Sequence, residues 1–467
     1  MKVDVGFVCV CVVALAGGCR GGTHILGYEC VDTGTELDLQ AAIDTRDTVL
    51  LCKGALITLS GPVSLKQGLT LETVDEPTDA ADMATILLGP NFPAGVGVAV
   101  SSGGSDIQIR AVRFDGNRRA LGARDTQIPV ELGRGTGYVV DGCRFTDSPG
   151  WTHLHLIEPC DSSTVTHNVV ESADRPHDDS GHSTDGLSIS CAHTLVSGNS
   201  VNDISAVGIV YFGGPGSTIS DNVITETTTS AFSGINIGDA IVPDNTGVTI
   251  SGNQIVAVEP RYFHTGLAAG LRVLGKTTTV SDVAVQDNTI KGMARYGLAV
   301  DGCLDCTIDG NDVSAWHPLP PLASCPAPAA YIAAKTAGEA TGTLQPGFVD
   351  AKIDNCEGEA EVLGDVFRVY AGDVVYPDYL AFEVELYSQR LEQKMDAAGL
   401  LRMEWDGLET RAKAMCPAMA TAADVQSVWR LIAAAQYGMM LAPADADAQV
   451  RADLTASPTG TPCSPPM

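Results

Sequence analysis

The segment TVTHNVV at 164–170 is the first of six copies of one short string that recurs through the middle of the chain. The later copies are LVSGNSV at 195–201, TISDNVI at 218–224, TISGNQI at 249–255, AVQDNTI at 284–290 and TIDGNDV at 307–313. An asparagine stands at the same place in each copy, namely Asn168, Asn199, Asn222, Asn253, Asn288 and Asn311. Successive asparagines are 31, 23, 31, 35 and 23 residues apart. A fixed string with unequal spacing indicates a repeat architecture with loops inserted into some repeats.

A second string, led by glycine, lies between these copies. Its members are GLSIS from Gly186, GIVYF from Gly208, GINIG from Gly234, GLRVL from Gly270 and GLAVD from Gly297. Each repeat therefore carries at least two short strands with alternating apolar residues, separated by turns rich in Gly and Asn. A shortest repeat of 23 residues matches one coil of a parallel β-solenoid. A leucine-rich repeat would show more Leu, and a propeller blade would be longer.

The asparagine positions have a physical explanation. A buried turn leaves backbone groups without partners, and stacked Asn amides can bond to those groups and to each other. One coil earlier the same place holds Cys143, in VVDGCRF. We therefore predict that Cys143 is a buried free thiol.

The chain resembles the pectate-lyase-like right-handed β-helix proteins over roughly residues 30–356. Residues 39–72 resemble the opening of that superfamily, with a capping helix followed by the first coil. The predicted fold is all-β, a right-handed single-stranded parallel β-helix, over 20–356. Helical spacing of apolar residues predicts a mixed, then α-helical appendage over 357–445, closing the solenoid end or pairing with another chain. Residues 446–467 are predicted to be a disordered tail.

Composition narrows the choice of partner. The chain has 28 basic and 57 acidic residues, a formal net charge of −29. This charge repels a phosphate backbone, so nucleic acid is excluded as a partner. The negative charge also disfavours binding of a polyanionic glycan, unless a bound cation or a local cluster of Arg and Lys makes the electrostatic potential at the binding site positive.

The N-terminus predicts export. Met1-Lys2 precedes an apolar run, Val5–Ala16, that is too short to span a bilayer comfortably. Residues 1–19 end in LAGGC, which resembles a bacterial lipobox and implies lipidation at Cys19; plain signal cleavage is the alternative. We expect a cell-envelope or extracellular protein that touches the membrane only through such an anchor.

The remaining cysteines fit an oxidising compartment. Cys160 and Cys191 each lie eight residues before a ladder Asn, so a disulfide between neighbouring coils is predicted. The pairs predicted by proximity are Cys30–Cys52, Cys303–Cys306, Cys325–Cys356 and Cys416–Cys463.

The repeats also predict which residues face outward on the Gly-led strands. That column should contain Ser188, Val210, Asn236, Arg272 and Ala299, with His155 in the coil before. Two inserted loops, at 172–185 and 256–269, should overhang it.

The loop at 172–185 is the first candidate site, because His177, Asp178, Asp179, His182 and Asp185 lie within nine residues. Oxygen donors such as Asp178 and Asp179 would suit Ca²⁺, and His with Asp would suit a transition metal; a solvated polar loop is the alternative. His153 and His155 are further candidate metal ligands or surface histidines. A second group comprises Arg261, Tyr262, His264 and Arg272, in which Tyr beside Arg suits sugar stacking and carboxylate recognition.

Three enzyme families on this fold offer a residue-by-residue test. Ser183–Gly186 (STDG) resembles the NTDG element of polygalacturonases, but their DD pair would fall at Ser205 and Ala206, and GHG and RIK are absent. The YGFDPH motif of mannuronan epimerases would place Ser188 and Ser190 at the catalytic Asp and His. For pectate lyases, Arg272 and Asp239 could supply the base and a calcium ligand, although WIDH is absent.

The sequence thus favours an exported protein that binds or acts on polysaccharide. If it is an enzyme, a lyase is favoured over a hydrolase or epimerase, with Asp185, His182 and Arg272 as catalytic residues. Substrate contacts are predicted at His155, His177, Asn236, Tyr262 and His264. The alternative is a non-catalytic surface lipoprotein whose solenoid is a rigid interaction scaffold.

Overall fold

The computed structural model describes residues 30–351 and the single residues 414 and 448. Gaps within the main range fall at 103, 123, 125–126, 172–183, 229–230, 238–243, 260, 271–279, 301–302, 319–327 and 335–341. The predictions for Cys19, for the loop residues 172–183, for Arg272 and for the C-terminal appendage lie outside the described residues. No helix in the part that the structure describes is long and apolar enough to cross a membrane.

The chain folds as a right-handed parallel β-helix, as predicted, and each coil contributes strands to three faces. Face 1 is an 11-stranded parallel sheet. Its strands are Thr48–Leu51, Thr70–Thr73, Gln108–Arg110, Val139–Asp141, Thr164–Thr166, Leu195–Ser197, Thr218–Ser220, Thr249–Ser251, Ala284–Gln286, Cys306–Asp309 and Gly342–Leu344. Every pairing in it is parallel, between one coil and the next.

Faces 2 and 3 form one 21-stranded sheet, because the strand Thr289–Val300 runs through both. Face 2 contains Gly34–Thr35, Leu56–Leu59, Ala84–Leu88, Val112–Asp115, Arg144–Thr146, Val169–Glu171, Ser200–Asn202, Val223–Glu226, Gln254–Ala257, the first half of Thr289–Val300, and Asp312–Pro318. Face 3 contains Val63–Leu65, Val98–Ser102, Ile128–Thr136, Thr152–Asp161, Asp185–Ile189, Val207–Tyr211, Ala231–Ile237, Tyr262–Ala269, the second half of Thr289–Val300, Ala329–Ala334 and Val349–Ala351. A two-stranded ribbon pairs Val280–Ser281 with Cys303–Leu304.

Apolar side chains fill the interior in stacked columns. On face 1 one inward column is fully buried and consists of Val140, Val165, Val196, Ile219, Ile250, Val285 and Ile308. Burial of each such side chain contributes roughly 1.5–3 kcal/mol. Since β-branched residues suit a pleated surface, the same residues specify both the strand and the core.

The asparagine ladder is confirmed at all six positions. Each amide donates to the Oδ1 of the next Asn, for example Asn199 Nδ2 to Asn222 Oδ1 at 2.8 Å, and also to a carbonyl of face 1, such as Val165 O at 2.9 Å. At the far end Gln345 Oε1 takes the next place, 2.9 Å from Asn311 Nδ2. At the near end the backbone N–H of Cys143 donates to Asn168 Oδ1 at 2.9 Å, and Cys143 is a buried free thiol, as predicted.

The glycine that leads the second string allows close approach of the coils. A Cβ on Gly208 would lie 2.6 Å from Gly234 O and 2.7 Å from Ile224 Cγ2. On Gly234 it would lie 2.5 Å from Ile255 Cγ2 and 2.7 Å from Gly266 O. These distances leave no room for a side chain, which explains why the string begins with Gly.

The helix Glu36–Thr45 covers the first coil, in agreement with the predicted capping helix. Thr35 and Asp38 form its capping box, and Leu39, Ala42 and Ile43 are buried against the core. Gln40 bonds the backbone of Ser64 through both amide atoms, at 2.9 and 3.0 Å. The helix therefore satisfies part of an exposed strand edge as well as covering apolar surface. A shorter helix spans Arg118–Leu121.

Three predicted disulfides are present, Cys30–Cys52, Cys160–Cys191 and Cys303–Cys306. The second joins neighbouring coils, as the spacing indicated. The pairs Cys325–Cys356 and Cys416–Cys463 lie outside the described residues.

Candidate functional site

The outward column of face 3 agrees with the sequence prediction at most positions. His155 is the register partner of Ser188, Ser188 of Val210, and Val210 of Asn236. The column continues through Ala268 to Ala299, and one coil before His155 it holds Glu131.

The prediction for Arg272 in this column was wrong. Ala268 occupies the place, because the strand is Tyr262–Ala269 and its leading glycine is Gly266 rather than Gly270. The sequence HTGLAAGLRVL contains two Gly-Leu pairs four residues apart, and the first one is in register with Gly234. The predicted loop at 256–269 was also wrong, because most of these residues lie in the strands Gln254–Ala257 and Tyr262–Ala269.

Glu131 and His155 form a contact between neighbouring coils. His155 Nδ1 lies 3.0 Å from Glu131 Oε2, and the His155 side chain is almost fully buried. The other ring nitrogen, Nε2, is shielded from solvent and has no hydrogen-bond partner among the described residues. The carboxylate therefore fixes the ring orientation and leaves one nitrogen available.

Trp151 folds back over the outward surface of this column. Its ring centroid lies 4.9 Å from that of His155, at an interplanar angle of 71°, and 6.2 Å from that of Phe212. Phe212 follows the strand Val207–Tyr211, two coils beyond His155. The indole thus spans two coils on the outside of the solenoid.

These rings belong to an apolar cluster that is separate from the solenoid core. We call it the outer cluster, and its members are Trp151, Val207, Val210, Phe212 and Phe232. Trp151 and Phe232 remain partly exposed, whereas the other members are buried. Aromatic side chains on an outer surface of a sheet provide flat apolar area for a ligand.

Buried polar atoms without partners lie beside the outer cluster. Asn236, the register partner of Val210, is fully buried, and neither its Oδ1 nor its Nδ2 has a hydrogen-bond partner within the described part of the chain. Ser190 is also buried, and its Oγ has no hydrogen-bond partner among the described residues. Its place on the next coil is taken by Phe212, because the residues before them, Ile189 and Tyr211, are register partners. Such atoms are rare in folded proteins, and each requires an explanation.

Asp185, the catalytic candidate that is described, is engaged by its own surroundings. Its Oδ1 accepts from the N–H of Val207 at 3.0 Å, and its Oδ2 lies 3.4 Å from Ser188 Oγ. Ser188 Oγ donates to Thr152 Oγ1 at 2.8 Å. The partners proposed for Asp185, His182 and Arg272, lie outside the described residues, as does His177.

A carboxylate pair of the polygalacturonase kind does not form on the described strands. Leu187 pairs with Ile209 on the next coil, and Asp185 and Val207 lie two residues before them. The neighbour of Asp185 on the next coil is therefore Val207, an apolar residue.

Tyr262 and His264 are fully buried at the start of the strand Tyr262–Ala269. The His264 ring stacks on Phe232 at 5.4 Å and meets Tyr296 edge-on at 5.6 Å. Burial, together with the nearby Arg295 guanidinium, lowers the pKa of His264 to about 3. His264 is therefore a neutral ring at physiological pH, and it extends the aromatic surface from Phe232 toward the later coils.

The candidate metal ligands are only partly described. His153 Nδ1 lies 2.9 Å from the backbone oxygen of Asp185, and His155 Nδ1 contacts Glu131. In the part of the chain that is described, no three His, Cys, Asp or Glu side chains are grouped so that they could hold a metal ion. Asp178 and Asp179, the residues suggested for Ca²⁺, lie outside that part.

Sequence reasoning missed Trp151, Glu131, Ser190, Phe212 and Phe232. Glu131 could have been found by extending the outward column to the coil before His155. Ser190 could have been found by following the outward-facing positions two residues beyond Ser188. Trp151 could not, because its ring reaches the column only through the bend at residues 149–151.

Comparison with known proteins supports the fold. Residues 135–313 match the family model described as right-handed β-helix region. No curated protein matches the chain in sequence. The match covers the central coils and agrees with the β-helix that the asparagine strings predicted.

Solved structures similar to the chain include an alginate lyase from Paenibacillus, with 15% identity and a TM-score of 0.44, over 61% of this chain and 96% of that one. A tailspike protein of an E. coli bacteriophage in complex with a hexasaccharide has 14% identity and a TM-score of 0.41, over 61% of this chain and 60% of that one. A surface protein and adhesin of Streptococcus pneumoniae has 12% identity and a TM-score of 0.39, over 59% and 92%. At TM-scores below 0.5, these likenesses carry no argument about this chain.

Proposed function

We propose that this chain is an exported protein that binds a polysaccharide along the outer surface of face 3. The observation that supports this most is the set of unpaired, buried polar atoms of His155, Ser190 and Asn236 beside the aromatic rings of the outer cluster. Sugars combine apolar ring faces with hydroxyl groups. A surface that recognises them therefore needs aromatic area and a few fixed hydrogen-bonding atoms.

A purely structural role explains the unpaired atoms poorly. A buried amide without partners costs about 1–3 kcal/mol, and an apolar side chain of the same size would avoid that cost. In the ladder, by contrast, every Asn amide is bonded. A ligand that bonds to Asn236 would recover the free energy that the unbound protein lacks.

The dimensions favour an extended ligand. His155 and Asn236 are three coils apart in one column, which corresponds to about 14 Å at the spacing of neighbouring strands. Trp151 and Phe232 are the partly exposed members of the outer cluster, and they supply the surface on which sugar rings would stack. Because these polar atoms are shielded from solvent, the groups that cover them must move before a ligand can reach them.

Binding without cleavage is the form of this function that we favour. From Ser188 onward the column holds Ser188, Val210, Asn236, Ala268 and Ala299, none of which is ionisable. A lyase built on Asp185, His182 and Arg272 would need an available acid or base. Asp185 already bonds Val207 and approaches Ser188.

Export is supported by the disulfides Cys30–Cys52, Cys160–Cys191 and Cys303–Cys306, which suit an oxidising compartment. We propose that Cys19 carries the lipid anchor. Labelling of cells with a fatty-acid analogue should mark the wild-type protein and leave a Cys19→Ser variant unmarked.

Titration calorimetry of the purified protein against a panel of neutral and uronic polysaccharides tests the binding proposal. We expect at least one polysaccharide to bind and Trp151→Ala to weaken its affinity tenfold or more. Ser251→Ala, an outward residue of face 1, is the matched control. Ultraviolet absorbance from unsaturated products, followed with and without Ca²⁺, should stay flat; a rise would establish a lyase.

A further inference from the structure

We infer that the ligand of face 3 is a neutral, hydroxyl-rich polysaccharide and not a polyuronate. This inference rests on the proposed function and specifies the ligand of the same site. It depends on the kind of polar atoms that the site offers and on the charges around them.

The unpaired atoms match hydroxyl groups. The Asn236 amide offers donors and an acceptor, Ser190 Oγ can do either, and His155 Nε2 is a single ring nitrogen. A sugar hydroxyl likewise donates and accepts, so it can use all three. A carboxylate only accepts, and proteins usually bind it with Arg, Lys or several converging N–H groups.

Two carboxylates, those of Glu131 and Asp185, lie at the column itself. The five consecutive face 3 strands from Ile128–Thr136 to Ala231–Ile237 carry one basic residue, Arg134, and four acidic ones. The acidic residues are Glu131, Asp185, Glu158 and Asp161; the last two lie farther along the strand from His155, and Asp161 Oδ2 is 2.9 Å from His193 Nδ1. Glu131 contacts His155 at 3.0 Å, and Asp185 lies 3.4 Å from Ser188, so two of these carboxylates touch the column itself. A uronate placed there would face like charges at short range, in a chain whose net charge is −29.

The arginines of the later coils do not reverse this. Arg295 is fully buried at the register place next to His264, and Arg261 precedes the same strand. Arg295 lies midway along Thr289–Val300 and Arg261 lies just before Tyr262–Ala269, whereas the column next to Asn236 continues as Ala268 and Ala299. Four residues of extended strand separate His264 from Ala268, which is about 13 Å.

Polygalacturonate and its fully methyl-esterified form make a matched pair of probes, because they share a backbone and differ in charge. Galactan and mannan are added as neutral polysaccharides, and polymannuronate as a second polyuronate. Calorimetry of the full-length protein at low and at physiological salt gives Kd for each. We expect a neutral member to bind at least tenfold more tightly than its charged counterpart, with a Kd that changes less than about twofold with salt.

The possible binding results distinguish the proposed polysaccharide binding from the inference that the polysaccharide is neutral. Tighter binding of a polyuronate than of every neutral polysaccharide would overturn this inference and leave the proposed function standing. Absence of binding to all five probes would overturn the proposed function and the inference with it. Asn236→Leu should weaken neutral binding at least tenfold and Ser251→Ala should not; equal affinities of the two variants would place the ligand elsewhere.

Discussion

Asn222 and Asn236 are both fully buried, yet Asn222 has every amide atom hydrogen-bonded and Asn236 has none bonded within the described residues. Asn222 faces inward in the ladder, where its Nδ2 donates to Val196 O and Asn253 Oδ1 and its Oδ1 accepts from Asn199. Asn236 faces outward, beside Val210 and the outer cluster. The fold thus satisfies the hydrogen-bonding groups of the same side chain at one position and leaves them unsatisfied at the other.

Asn222→Leu should destabilise the protein strongly. The substitution leaves the Asn199 amide, the Val196 carbonyl and Asn253 Oδ1 short of a partner, and each buried loss costs about 1–3 kcal/mol. We expect a decrease in the free energy of unfolding on the order of 3–5 kcal/mol, measured by urea denaturation. A decrease no larger than that of Ser251→Ala would show that the ladder contributes little.

The glycine that leads the second string should not tolerate a methyl group. In Gly234→Ala the new Cβ would meet Gly266 O at 2.7 Å and Ile255 Cγ2 at 2.5 Å, so neighbouring coils must separate. We expect a cost of about 1–3 kcal/mol by thermal or urea denaturation. Gly95→Ala is the control, because nothing lies within 4 Å of its added Cβ. Similar midpoints for the two variants would contradict the close packing.

The Cys143 thiol should be unreactive in the native protein. Burial raises its pKa to about 12, so the reactive thiolate is scarce at neutral pH. Peptide mapping after iodoacetamide treatment should find Cys143 unmodified under native conditions and modified after unfolding in urea. Rapid native labelling would mean that Cys143 does not point into the core.

Stability should fall on acidification because of His264. Its pKa is about 3 in the folded protein and 6.5 is the ordinary value, so between these values the unfolded chain binds the extra proton. The contribution is fully present above pH 6.5 and decreases as pH falls toward 3, with a slope of about 1.4 kcal/mol per pH unit.

The test compares the wild type with His264→Phe, which keeps a ring against Phe232. Urea denaturation at several pH values should give a shallower decrease for the variant. Parallel curves for the two proteins would show that His264 is not a buried neutral ring.

The sequence predicts the solenoid well because the information is periodic. The ladder asparagines, Cys143 at its near end, the Cys160–Cys191 bridge and most of the outward column follow from aligning the repeats. The alignment failed at Gly270, where Gly266 offered an equally good Gly-Leu pair and only strand pairing distinguishes them.

The candidate site could be predicted only in part. His155 and Asn236 lie on the strands and follow the repeat, so their outward direction was predictable. Trp151 and Phe212 flank the strands, and their contact depends on how the indole folds across two coils. Periodicity holds no information about that arrangement, and it cannot show that the Asn236 amide lacks partners.

The most direct test of the account is Asn236→Leu, measured for stability and for polysaccharide binding in the same preparation. Removal of an unpaired buried amide should raise the free energy of unfolding by about 1 kcal/mol or more, while affinity for the bound polysaccharide falls at least tenfold. A structural residue would show the opposite change in stability. A variant that is destabilised, or that binds polysaccharide as the wild type does, would contradict the assignment of Asn236 to the ligand.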